Sequence, residues 1–182
     1  MLEMSLADKI RRTAFLGREF LTWLMFRSAR DEGVFRLEGG EVVEVFFERA
    51  LTLDGENPAR EMSSLKVDDP TRSEEVLLSL RLGKKVSRAR LQLIKEGREF
   101  GFVLDSAGLG LRSVKLPETQ ALDPVEAMAE KAGLCSELED AVHELFARFI
   151  RLRLDADAWA AEAAPVADWI EGLRPEAREE AD

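Results

Sequence analysis

Lys85-Val86-Ser87-Arg88-Ala89-Arg90-Leu91-Gln92-Leu93-Ile94, then Glu96-Gly97, then Arg98-Glu99-Phe100-Gly101-Phe102-Val103-Leu104-Asp105, is the stretch that decides the fold. Ala89, Leu91 and Leu93 alternate with Arg88, Arg90 and Gln92, and Phe100, Phe102 and Leu104 recur at every other position. Successive side chains of a strand point to opposite faces, so this spacing predicts two strands, each with one greasy face. Glu96-Gly97 between them places a glycine, which tolerates positive φ, where a hairpin turn needs it. Ser106-Ala107-Gly108 turns the chain again into Leu109–Leu116, the last strand of an antiparallel meander. Such a sheet needs a cover on its apolar side, while the side carrying Arg88 and Arg90 is basic.

Upstream, Val34–Leu37 and Val42–Leu53 flank Gly39-Gly40 and read as another hairpin. Val43, Val45, Phe47, Leu51 and Leu53 alternate with Glu44, Glu48 and Thr52, a pattern broken only by Arg49 on the apolar side. Asp54–Pro58 reads as a loop and Arg60–Val67 as a further strand. The cover comes first in the chain. Ser5 with Asp8 resembles a capping box, and Leu16, Phe20, Trp23 and Leu24 then follow at helical spacing. Phe15, Leu21, Met25 and Phe26 make the second half apolar nearly all round, so that helix must be covered on several faces; Gly33 stops it.

Thr71 with Glu74 matches a capping box for a short helix through Leu77 and Leu80, ended by Gly83. Pro117–Leu122 is a linker, and Asp123-Pro124 with Glu126 opens a long helix. It runs past Gly133 to about Leu154, with Leu138, Val142, Leu145, Phe149 and Leu152 as its core stripe. Asp155 or Asp157 caps a last helix carrying Trp159, Val166, Trp169 and Ile170, with Pro165 as a place to bend and Gly172 and Pro175 as its end. The expected fold class is α+β: an N-terminal helix, an antiparallel sheet of hairpins interrupted by a short helix, and two C-terminal helices. Residues 1–116 form the helix-plus-sheet region, 117–176 an acidic helical region packing on it, and 177–182 a frayed tail.

With 182 residues, 46% of them apolar and 34% charged, the chain suits one domain or two small ones and is not disordered by composition. Its single Cys excludes an internal disulfide framework and a multi-cysteine zinc site, and fits a reducing compartment. Even Phe20 to Phe26, allowing Thr22, falls far short of the ~20 apolar residues that cross a bilayer. No apolar core of a secretory signal follows Lys9, Arg11 and Arg12. The expectation is a cytoplasmic protein without a membrane partner. The net charge of −10 is uneven: residues 1–116 hold 20 basic and 19 acidic side chains, and residues 117–182 hold 6 and 17. Within residues 81–98, Arg81, Lys84, Lys85, Arg88, Arg90, Lys95 and Arg98 face one acid, Glu96. Seven cations at that density can neutralise phosphates if they share a face. They can equally be a solvated sheet edge or the partner of the acidic helices.

Enzyme signatures are missing. His143 is the only histidine, so a histidine-based metal site has at most one such ligand. Its place between Val142 and Leu145 gives it a packing or surface role, and Cys135 reads as a small buried hydrophobe. Ser106-Ala107-Gly108-Leu109-Gly110 is glycine-rich but leads into a strand, not the helix a phosphate-cradling loop needs. Adjacent acids such as Asp68-Asp69 and Glu139-Asp140 point apart. The expectation is a non-enzymatic protein with no cofactor and no metal.

One segment carries more. Phe15-Leu16-Gly17-Arg18-Glu19-Phe20-Leu21-Thr22-Trp23-Leu24 resembles a characteristic segment of the RdgC family, the bacterial recombination-associated proteins. Phe46-Phe47-Glu48-Arg49, Leu80-Arg81-Leu82-Gly83-Lys84-Lys85-Val86 and Leu145-Phe146-Ala147-Arg148-Phe149 running into Arg151-Leu152-Arg153-Leu154 are similar to further family segments in the same order. Met25 stands where many relatives carry tryptophan. The resemblance covers most of this chain and about the C-terminal half of a typical member. It implies a nucleoid-associated, ring-forming homodimer that binds double-stranded DNA without sequence preference and restrains a RecA-type recombinase. Lys84, Lys85, Arg88, Arg90, Lys95 and Arg98 are the first candidates for phosphate contacts, with Arg18, Arg27 and Arg30 as weaker ones. The alternative is an acidic protein-interaction module that does not bind DNA, in which the helices between Asp123 and Glu171 dock a basic partner.

Overall fold

The structure is a computed structural model that describes residues 6–55 and 62–172, with side chains described from Leu16 onward. The Ser5–Asp8 cap, the loop beyond Gly55, the first residues of the Arg60–Val67 strand, the stop at Pro175 and the tail at 177–182 lie outside the described residues. The elements are α1 (Leu6–Arg30), β1 (Val34–Arg36), β2 (Val42–Asp54), β3 (Met62–Lys66), α2 (Glu74–Arg81), β4 (Lys85–Lys95), β5 (Arg98–Asp105), β6 (Gly110–Lys115), α3 (Pro124–Leu154) and α4 (Ala156–Glu171). The architecture is α+β: an N-terminal helix, a six-stranded antiparallel sheet and two C-terminal helices.

The sheet runs β1-β2-β4-β5-β6, with β3 also paired to β2. Because β4 accompanies β2 from Val43 to Asp54, β1 and β3 must share the other edge of β2, one beside each half. Period-two burial holds through the meander: Ala89, Leu91, Leu93, Phe100, Phe102 and Leu104 are all buried. Glu96 and Gly97 both take positive φ, as a two-residue hairpin of matching twist requires.

The misplaced Arg49 has a structural reason. Phe47 pairs with Leu91 and Leu51 with Ala89, so β2 spends four steps where β4 spends two. This bulge keeps Phe47 and Leu51 both on the buried face and releases Arg49 to solvent, where it meets Asp68 at 3.2 Å. A second register shift lies between the Thr52–Arg88 and Leu53–Val86 pairs, and there Ser87, also buried, donates to the Thr52 carbonyl at 3.3 Å.

Helix α1 is the middle layer. Phe20, Leu21, Trp23, Leu24, Met25 and Phe26 are all buried, which accounts for a helix apolar on every side. One side lies on the sheet, where the Thr22 hydroxyl accepts from the Val86 amide at 3.1 Å and Ser28 donates to the Val45 carbonyl at 2.7 Å. The other side meets α3 and α4 through aromatic contacts: Trp23–Phe149 at 5.5 Å and Phe26–Trp169 at 5.8 Å between ring centroids. The α3 stripe is buried at Leu138, Val142, Leu145 and Phe149, with Leu134 and Ala141 added and Leu152 only packed against it.

Helix ends follow local chemistry. Asp123 accepts from the amides of Val125 and Glu126 with Pro124 at the first position, and Asp155 alone links α3 to α4 while capping the latter. Gly172, at φ 75°, closes α4. Two expectations are corrected. The cap of α2 is Ser73, without a side-chain hydrogen bond, because Thr71 is held by Asp69 in a turn of its own. Cys135 is exposed, since the buried stripe of α3 passes through Leu134 and Leu138 and turns position 135 away.

Candidate nucleic-acid interface

Among the described residues, no helix lies over the face of the sheet opposite α1. Register places Thr52 beside both Ser64 and Arg88, Ala50 beside Lys66, and Val103 beside both Arg90 and Arg112. Directly paired residues share a face, so Lys66 of β3, Arg88 and Arg90 of β4 and Arg112 of β6 stand on the same open side. The β2 bulge falls among them. Ala50, Thr52, Ser64 and Val103, all short, make the floor of a groove of about 510 Å3, and Lys66, Arg88 and Arg90 rise around it.

The groove's arginines are held by carboxylates of the sheet itself. Arg88 donates from Nη2 at 2.8 Å and from Nε at 3.2 Å to one oxygen of Asp105. Asp105 is buried, also accepts from the Ala107 amide at 3.0 Å, and lies 3.7 Å from Arg112. Burial pushes its carboxyl upward, but the Ala107 amide, the Arg88 hydrogen bond and the two guanidinium charges together hold it below the ordinary value of 3.8. Arg90 donates from Nε to Glu48. Lys66 is exposed and has no hydrogen-bond or ion-pair partner among the described residues.

The other candidate cations lie elsewhere. Lys95 and Arg98, beside the β4–β5 turn, meet Glu137 of α3: Arg98 holds it with two bonds of 2.8 and 2.7 Å, and Lys95 bridges Glu41 and Glu137. The hydrogen bond with Glu41 pushes the Lys95 amine up and outweighs burial, with the charges of Glu41 and Glu137 adding to it. Lys84 donates to the Ser63 hydroxyl at 2.6 Å, and Lys85 meets Glu19 at 3.1 Å. Those two lysines line a smaller, largely apolar cleft between α1 and α4, walled by Trp23, Trp159 and Ile170. Arg18 reaches Asp54 at 3.7 Å, Arg27 reaches Asp31 at 3.1 Å and Glu162 at 3.6 Å, and Arg30 lies over the Phe26 ring. Of the nine candidates, the fold therefore brings Arg88 and Arg90 together in the groove. No family model matches this chain, and no curated protein matches it.

Lys66 and Arg112 are the groove-side cations that sequence reading did not single out. A period-two reading of β3 puts Ser64 and Lys66 on one face, but only the pairing of Ala50 with Lys66 says which face. The arrangement can bind an oxyanion chain: guanidinium and ammonium donors on a concave, uncovered surface, with hydroxyls of Thr52 and Ser64 beneath them. His143 and Cys135 are both exposed on α3, and the described residues contain no group of three or more His, Cys, Asp or Glu placed to hold a metal ion. No described helix is long and apolar enough to cross a membrane.

Proposed function

We propose that this is an RdgC-like protein that binds double-stranded DNA without sequence preference through the open face of its sheet. The observation that carries this is the groove walled by Lys66, Arg88 and Arg90 on the sheet face that no described helix covers. Phosphate contacts supply affinity without reading bases. Because Arg88 and Arg90 already hold carboxylates, each contact with a phosphate is an exchange of anions. Affinity is therefore modest for a single chain, and retention on DNA relies on a closed homodimer. On this reading the protein works in the cytoplasm at the nucleoid, and occupancy of duplex DNA is how it restrains a RecA-type recombinase.

An anisotropy titration of a random duplex at rising salt tests the proposal. Binding should weaken linearly on a log–log plot with a slope near −0.9 per phosphate neutralised, and unrelated duplexes should compete equally. Absence of binding at low ionic strength removes it. One observation favours a second reading, an acidic interaction module: Glu137 occupies Lys95 and Arg98, while Glu139, Asp140 and Asp168 on the outward sides of α3 and α4 are exposed without ion pairs among the described residues. Capture of a basic protein partner by a chain that fails to shift DNA would favour that reading.

A further inference from the structure

The groove is built from donors, and its two acceptors are held unequally. Lys66 Nζ and the hydroxyls of Ser64 and Thr52 have no acceptor among the described residues. Arg90 uses Nε on Glu48, which leaves both terminal nitrogens of its fork without a partner among the described residues. Asp105 cannot leave: its side chain is 11% exposed, it takes both Arg88 bonds, and the Ala107 amide fixes it from behind. Arg88 is thereby oriented rather than removed from use, because its Nη1 has no partner among the described residues. Glu48 is different. It stands at the start of the bulge, its side chain is 39% exposed, and Arg90 is its single partner among the described residues.

We infer that this groove is a seat for one phosphate group, and that Glu48 is an internal anion that occupies Arg90 until a phosphate replaces it. The ligand's identity as a backbone phosphate rests on the DNA-binding reading above. A phosphate brings several acceptor oxygens to a place where Lys66, Ser64, Thr52 and Arg90 offer donors, and it can engage the guanidinium fork of Arg90 in the paired geometry that a single Nε contact does not use. Glu48 needs only to swing into solvent, as a half-exposed carboxylate does at little cost. The affinity of the seat is thus set by competition between a tethered carboxylate and the incoming phosphate.

The test compares E48Q with E99Q, which removes one charge from an exposed carboxylate on the same sheet face but outside the groove. Two probes are titrated, a short random duplex by anisotropy and inorganic tripolyphosphate by calorimetry, with melting curves confirming that all variants fold. Expected for both probes is about threefold to fivefold tighter binding in E48Q, near wild-type binding in E99Q, and weaker binding in K66A. Equal effects of E48Q and E99Q overturn the competitor role of Glu48, and duplex binding indifferent to both E48Q and K66A moves the seat off this groove while the DNA reading stands. If tripolyphosphate shows the E48Q dependence and duplex is not bound, the seat stands and the DNA reading falls. Binding of neither probe overturns both.

Discussion

Gly17 of α1 lies against the backbone of Ser106, so closely that a Cβ at position 17 would stand 2.1 Å from the Ser106 carbonyl oxygen. Helix and hairpin turn touch through main chain, and no rotamer change can make room. G17A should therefore shift α1 away from the β5–β6 turn and destabilise the fold by about 1–3 kcal/mol, although alanine is the better helix former. Thermal or urea melting checks it. A stability gain would show that the turn yields freely.

Trp23 and Glu162 join α1 to α4: the indole nitrogen donates to the carboxylate at 2.8 Å, and Arg27 lies 3.6 Å from the same oxygen. Helix α4 has no fully buried residue, so it is docked by this contact, by the packing of Trp159, Val166, Trp169 and Ile170, and by Arg81, whose Nε donates to the Ile170 carbonyl at 2.8 Å. E162A leaves a buried indole N–H unpaired and should cost about 1–3 kcal/mol, with a red shift of tryptophan emission as α4 loosens. E162Q, which keeps an acceptor, should recover most of that. Equal losses in the two variants would assign the effect to the Arg27 pair.

Asp105 predicts a pH dependence with a definite sign. Its folded carboxyl titrates below the unfolded one, so its stabilising contribution is complete above the unfolded value and is lost as pH falls through the folded value. D105N should be less stable than wild type near pH 7, and the gap should narrow as pH drops below about 4. Denaturation midpoints across that range check it; a constant gap would trace the loss to geometry instead of charge. Lys95 carries the opposite sign. Its raised amine contributes fully below the unfolded value of 10.5 and loses that contribution as pH rises through the higher folded value.

Legibility in the sequence divides along physical lines. The layering was open to reading at Phe20–Phe26, because a helix apolar all round requires two covers, and at Ala89, Leu91 and Leu93, because strand period is fixed by the backbone. Arg88 and Arg90 followed from the same period. Arg49 signalled an irregularity, but one exception cannot say that two extra residues bulge and open a groove. The competing Thr71 and Ser73 caps differ by which hydroxyl a turn has already claimed, a tertiary detail. Charge density left open which cations share a face and which meet the acidic helices. Lys95 and Arg98 sit beside Arg90 in sequence, yet Glu137, far along the chain, occupies them, while Lys66 arrives in the groove from a separate strand.

Salt dependence separates the groove from the rest of the basic segment. A duplex seated over Lys66 and Arg90 releases counterions there, so the K66A/R90A double variant should lower the log–log salt slope by about 1–2 and weaken binding to all sequences alike. R98A is the matched control: it removes the same kind of charge from the same hairpin, but at the end where α3 supplies Glu137 as a partner. Its slope should equal that of wild type. A slope lowered by R98A and untouched by K66A/R90A would move the DNA to the helical side of the sheet, where the acids of α3 would have to be displaced first.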